Sequence, residues 1–258
     1  MIQKYAVVAL LAVSLSCQNA SEHEEAPWIS LFNGADLSGW TPKFSGYPVG
    51  QNYKNTFSVS DSILHVSYAE YDSFRNEFGH LFSKDMFTHF RLRMDYRFVG
   101  DRTPGAADWA LRNNGLMILS QSAESMGLDQ DFPVSVEFQF LGGNGTDERP
   151  TAGVCTPGTH VYMHDTLVTQ HCIMSSAKTY HGERWVSVEV AVMPDGNIYH
   201  LVEGDTVARY ARPEIGGDYL PEGYAGRTGE RVSQGYLALQ AESHSTDFRN
   251  IRIQVISD

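Results

Sequence analysis

The chain has 258 residues, 42% of them hydrophobic and 12% aromatic, which excludes a disordered polymer and is enough for one large core or two small ones. Lys and Arg number 19 against 31 Asp and Glu, a net charge of −12. That acidity argues against nucleic acid or an anionic membrane surface as the partner, and leaves neutral or cationic small molecules and sugars open.

Residues 1–16, MIQKYAVVALLAVSLS, carry Lys4 before a short apolar run from Ala6 to Val13. The run is too short to cross a bilayer and reads as a secretory signal peptide. The small residue Ser16 directly before Cys17 resembles a bacterial lipobox, in which the Cys becomes the lipidated first residue. The alternative is an ordinary signal cleaved near Ala20, which discards Cys17. Residues 17–27 are polar and acidic and read as a tether. The expectation is an exported protein, a periplasmic or outer-membrane lipoprotein of a Gram-negative bacterium, touching the membrane only through Cys17.

From Trp28 onward the dominant period is two. In 90–98 the residues Phe90, Leu92, Met94, Tyr96 and Phe98 alternate with Arg91, Arg93, Asp95 and Arg97. In 134–140, Val134, Val136, Phe138 and Phe140 oppose Ser135, Glu137 and Gln139. The run 185–193 alternates valines with Ser187, Glu189 and Ala191. In 236–242, Leu237, Leu239 and Ala241 oppose Tyr236, Ala238, Gln240 and Glu242, and 251–256 ends the chain as a further strand. Such alternation marks sheets with one packed and one polar face. Pro194-Asp195-Gly196-Asn197 and Glu203-Gly204-Asp205 predict hairpins joining 185–193, 198–203 and 206–210. Helical signal is weak, with one turn expected from Ser122 to Met126. The prediction is an all-β, two-sheet antiparallel sandwich forming a single domain over 28–258.

Residues 142–182 break this pattern. They are rich in Gly, Thr and His, lack sustained alternation and read as one long functional insertion. They hold Cys155 and Cys172, whose spacing matches no zinc signature. In an oxidising compartment a disulfide is expected; a thiol nucleophile, a metal pair or free buried thiols are the alternatives. His160, His164, His171 and His181 follow no firm metal motif, so a divalent metal is an open option rather than an expectation. His171, beside Cys172, is the insertion residue favoured for substrate binding.

Four stretches in order resemble the 3-keto-disaccharide hydrolase domain family: LFNGADLSGW (31–40), RNNGLMI (112–118), VEFQFLG (136–142) and LALQAESHSTDFRNIRI (237–253). The resemblance covers about 28–256, and the insertion, with ERPTAGVCTPGTH and KTYHGERW, is similar to one subgroup. It implies a concanavalin A-like jelly roll, common in exported proteins of glycan-degrading bacteria, acting as hydrolase or lyase on glycosides whose sugar is oxidised to a ketone at C3.

A C3 ketone acidifies the C2 proton. Its removal gives an enolate, from which the C1 oxygen substituent leaves, and water can add back. The site needs a base, an electrophile for the enolate oxygen and an acid for the leaving oxygen. Glu137, Glu242 and His244 are the expected acid/base or metal-ligating residues on the concave polar face. Arg112, Asn114, Gln139 and Gln240 are expected to orient the sugar, with Trp109 and Tyr180 as stacking platforms and Trp40 and Trp185 in the core. Outward solvated charge is the expectation for Arg91, Arg93 and Arg97. Two rivals are a conventional glycoside hydrolase and a non-catalytic lectin-like lipoprotein. The retaining hydrolases of this fold need flanking carboxylates, but Gln139 stands where an Asp would be.

Overall fold

The computed structural model describes Met1 and residues 26–257; the expected signal peptide past Met1, the expected anchor Cys17 and most of the expected tether lie outside the described residues. No helix among the described residues is long and apolar enough to cross a membrane.

Seventeen strands follow in chain order: β1 (Ile29–Ser30), β2 (Trp40–Phe44), β3 (Phe57–Ser60), β4 (Ile63–Val66), β5 (Gly79–Phe87), β6 (Phe90–Arg102), β7 (Asn113–Ser120), β8 (Val136–Leu141), β9 (Gly153–Cys155), β10 (Thr159–Met163), β11 (Thr166–Val168), β12 (Cys172–Ile173), β13 (Val186–Val192), β14 (Asn197–Val202), β15 (Asp205–Ile215), β16 (Gly235–Ala241) and β17 (His244–Val255). They form two antiparallel sheets. One has seven strands in the order β12-β9-β8-β7-β16-β5-β2; the other has ten, β11-β10-β15-β14-β13-β6-β17-β4-β3, with β1 on β17. This is a two-sheet antiparallel jelly roll, the sandwich that the alternation predicted.

The alternating sets build the core between the sheets. Phe90, Leu92, Met94, Tyr96 and Phe98 of β6 are all buried, as are Val136, Phe138 and Phe140 of β8 and Leu237 and Leu239 of β16. Tyr96 of one sheet stacks on Phe140 of the other at 4.5 Å between ring centres. Each large apolar side chain so buried stabilises the sandwich by roughly 2 kcal/mol. On the outer face of β6, Arg91 pairs with Glu189 at 2.6 Å and Arg97 with Asp247 at 2.8 Å, while Arg93 lies 3.5 Å from the Trp28 ring centre. The arginine stripe is therefore a paired outer surface, away from the concave sheet.

Both predicted hairpins are present. Asn197 N–H donates to Asp195 Oδ1 at 2.9 Å between β13 and β14. Between β14 and β15, Glu203 and Gly204 both take positive φ (51° and 92°), the backbone hand that a two-residue hairpin requires. Ala123–Ser125 makes one 3-10 turn, with Ser122 accepting from Ser125 N–H.

The stretch 142–182 is more structured than its pattern suggests. It supplies β9 and β12 to the seven-stranded sheet and β10 and β11 to the ten-stranded one, so it widens both layers. These strands run two to five residues, too short to display alternation.

Candidate active site

The seven-stranded sheet carries a polar row on the face that lines a cavity, and the register decides which residues meet. Glu137 on β8 lies opposite Met117 of β7 and opposite Cys155 of β9; Gln139 lies opposite Gly115 and Gly153. Gly115 has no side chain to fill the space above β7. A Cβ there would stand 2.4 Å from Glu137 Oε1, so the carboxyl group leans over the glycine.

Glu242 directly follows the last residue of β16. The next residue, Ser243, takes φ +82° and carries the chain into the other sheet, where His244 begins β17 opposite Arg102. Ser243 N–H donates to Tyr68 Oη at 2.7 Å, and the Ser243 carbonyl accepts from the Thr103 hydroxyl at 2.6 Å. The corner that holds Glu242 is thus tied on both sides.

Glu137 and Glu242 line one cavity of about 510 Å³ with Asn113, Gln139, Arg149 and His171. Trp109, Phe132, Leu141, Pro157 and Tyr219 form its apolar wall, together with Cys155 and Cys172, which are joined as a disulfide. Phe132 meets Tyr219 edge-on at 5.5 Å, and the His171 ring lies 5.0 Å from Tyr219. Trp109 is 53% exposed and stacks near-parallel on Phe78, offering an open indole face at the rim.

Burial dominates the electrostatics. It pushes the Glu137 carboxyl up to about 8. Burial, then the neighbouring Glu137 charge, holds Glu242 well above the usual carboxylate range. Both carboxyls are therefore shifted toward the protonated form at neutral pH. Half-burial lowers His171, so its imidazole is neutral.

The expected site residues divide. Glu137, Gln139, Glu242 and His171 meet in the cavity. Gln240 shares their face but is fully buried, directly across from His80, which burial and then the Lys43 charge hold down to about 3. Phe132 stands edge-on to His80 at 6.1 Å.

Asn114 points the other way, into the layer between the sheets, donating to the Gln240 carbonyl at 2.9 Å and to Thr246 Oγ1 at 3.3 Å. His244 does not continue the parity of Glu242, because the chain changes sheets at Ser243. It packs edge-on against Phe98 at 5.5 Å, and burial, reinforced by the Arg112 charge, lowers it to about 4. Arg112 sits at φ +45° and donates to the Gly143 carbonyl at 2.8 Å, bracing the start of the insertion. Of the proposed platforms Trp109 reaches the cavity. Tyr180 is buried, and so is Trp40; Trp185 is half-buried between Arg97 and Arg249 on the outer face.

Arg149 is the site residue that pattern reading missed. Its Nη1 donates to the Leu111 and Gly142 carbonyls at 2.6 and 2.7 Å, and Nη2 to the Trp109 carbonyl at 3.3 Å. Its sequence neighbourhood, ERP in the insertion, carries no periodic signal; only the fold brings it to the cavity. Among the described residues no cluster of three or more His, Cys, Asp or Glu side chains is arranged to hold a metal ion.

A jelly roll with two buried carboxyls in one aromatic-lined cavity defines the class of this protein. The family model for the 3-keto-alpha-glucoside-1,2-lyase-like domain matches residues 27–254, and the chain belongs to that family. Two putative glycosyl hydrolases from Parabacteroides distasonis ATCC 8503 share the fold. One is 17% identical with a TM-score of 0.53, covering 89% of this chain and 100% of its own. The other is 16% identical with a TM-score of 0.54, covering 89% and 94%. The laminarinase from Rhodothermus marinus is 12% identical with a TM-score of 0.50, covering 91% and 98%. No curated protein matches the chain.

Proposed function

We propose that the protein is a carbohydrate-active enzyme that cleaves 3-keto-glycosides by elimination, with net hydrolysis when water adds to the product. The observation that carries this reading is the buried Glu137–Glu242 pair in the cavity of a chain from the lyase-like family. Ionised Glu137 takes the C2 proton, and the electrons of that bond form an enolate with its charge on the C3 oxygen. The enolate collapses: the C3 carbonyl re-forms, a C1–C2 double bond forms, and the C1–O bond breaks. Protonated Glu242 supplies the proton to the leaving oxygen. The pair then holds the same number of protons as before, and transfer of one proton from Glu137 to Glu242 resets it. Gln139 and Asn113 offer amide groups to the sugar hydroxyls, and Trp109 offers a stacking face.

The test is incubation with a 3-keto-glucoside and with its parent glucoside, each with and without chelator. Release of the aglycone from the 3-keto sugar alone is the expected result. Release from the parent alone makes the protein a conventional glycosidase, and release from neither makes it a binding module. Loss of release with chelator adds a metal to the site.

The N-terminal pattern supports an exported, lipid-anchored protein. Its test is fractionation of cells producing the full chain: Cys17→Ala is expected to move the protein from the membrane pellet to the soluble exported fraction.

A further inference from the structure

The Arg149 guanidinium is half-buried, yet among the described residues it meets no carboxylate at ion-pair distance. Its charge is held instead by three backbone carbonyls, those of Trp109, Leu111 and Gly142. A guanidinium has five N–H donors. Three are used here, both on Nη1 and one on Nη2. The Nε–H and the second Nη2–H have no acceptor among the described residues. The group lines the cavity, where it is the sole permanently positive side chain among the lining residues. It is also rigid, because its anchors lie on two separate segments, 109–111 and 142.

Arg149 is not among the charges that shift either carboxyl. It lines the same cavity as Glu137 and Glu242 but forms no ion pair with either, which leaves its free N–H donors for a ligand. The elimination makes a matching demand. Negative charge grows on the oxygen at C3 while the acid serves the oxygen at C1, and these two carbons flank C2 on opposite sides. A group that stabilises the enolate must therefore lie in the same cavity as the acid but at a separate point, on the C3 side of C2.

We propose that Arg149 is a catalytic residue, the fixed cation that binds the C3 oxygen of the substrate and stabilises its enolate through the Nε–H and the second Nη2–H. This rests on the 3-keto reading of the site. Trp109, whose backbone carbonyl anchors the guanidinium, lines the same cavity and can stack a sugar there. A cation preset by backbone carbonyls needs no reorganisation as the charge develops, which is where such groups contribute most.

The experiment uses the whole protein, a 3-keto-glucoside in D2O, and the variants Arg149→Ala and Arg149→Lys, each first shown by thermal unfolding to be folded. Two rates are read: deuterium uptake at C2 and release of the aglycone. Arg149→Ala is expected to slow both by about 10²- to 10³-fold, with KM changed several-fold at most. Added guanidinium ion is expected to restore part of the loss, which a purely structural role would not permit, and Arg149→Lys is expected to fall between alanine and wild type. Folded Arg149→Ala with C2 exchange within about threefold of wild type overturns the assignment, the fold-change being small against the loss of one such donor. So does a loss that lies wholly in KM, or one that guanidinium ion leaves unchanged. If the wild type neither exchanges C2 nor releases the aglycone, the 3-keto reading falls and this assignment with it; if the wild type does both and the alanine variant matches it, only the role of Arg149 falls.

Discussion

Gly115 makes the space that Glu137 occupies. A methyl group on residue 115 would lie 2.4 Å from Glu137 Oε1 and 2.7 Å from its Cγ. The clashing atoms belong to the end of a flexible side chain, so Gly115→Ala is expected to displace the carboxyl rather than the strand. Activity on a 3-keto-glucoside should fall at least about tenfold, while stability should change by less than about 1 kcal/mol, since Ala also suits a strand interior better than Gly. Paired denaturant melts and rate measurements check this. A variant with full activity would show that the leaning conformation of Glu137 is not the working one.

Glu137 makes the fold sensitive to alkali. Its folded-state value, about 8, lies above the unfolded carboxylate value near 4.5. A group raised in this way contributes its stability fully below the unfolded value and loses it as pH rises through the folded one. The charged form is then buried at a cost on the order of a few kcal/mol. Glu137→Gln, which cannot ionise, is expected to melt above wild type at pH near 9 and to lose that advantage near pH 4, two values chosen to bracket the shift. Equal melting differences at both pH values would contradict the burial argument.

Glu242 is expected to act as the acid for the leaving oxygen, so its importance should scale with how poorly the aglycone leaves. For an alkyl 3-keto-glucoside, Glu242→Gln should cost about 10²- to 10⁴-fold in kcat. For a nitrophenyl aglycone, which departs without a proton, the cost should be far smaller. In the wild type the rate should rise with pH through about 8 as Glu137 ionises, and fall at higher pH as Glu242 loses its proton. A loss that is identical for both aglycones would assign Glu242 to another step.

The Cys155–Cys172 disulfide closes a loop of 17 residues and fastens β12, a strand of two residues, to β9 beside Glu137. Replacing both cysteines by alanine is expected to destabilise the fold by about 3 kcal/mol, the chain-entropy value for a loop of this length. Because both sulfurs line the cavity, KM should rise as well. Calorimetry and steady-state kinetics read the two effects separately.

Alternation along the chain was enough to define the sandwich and to orient Glu137, since Val136, Phe138 and Phe140 left it only the polar side. The same rule applied to 113–120 places Asn114 with Leu116 and Ile118, facing inward, and the structure has it there. Reading it as a sugar ligand overlooked that parity. His244 was beyond such a rule. Ser243 adopts a positive φ with no glycine to announce it, and the chain changes sheets at that residue. Arg149 was hidden for a different reason: its anchors are 7 to about 40 positions away in the chain, and no local period encodes them. The short strands of 142–182 are hard to read because pairing with neighbours within each sheet, rather than their own pattern, makes them strands.

Glu242 sits at the corner where the chain leaves one sheet for the other, with Tyr68 and Thr103 clasping the next residue. The Glu137–Glu242 pair is therefore expected to assemble late in folding. β8 and β16 can both pair with β7 and still lack the carboxyl pair until β17 has docked on β6. Regain of turnover during refolding should lag behind regain of strand signal, which turns the enzyme into its own reporter of when the two layers close.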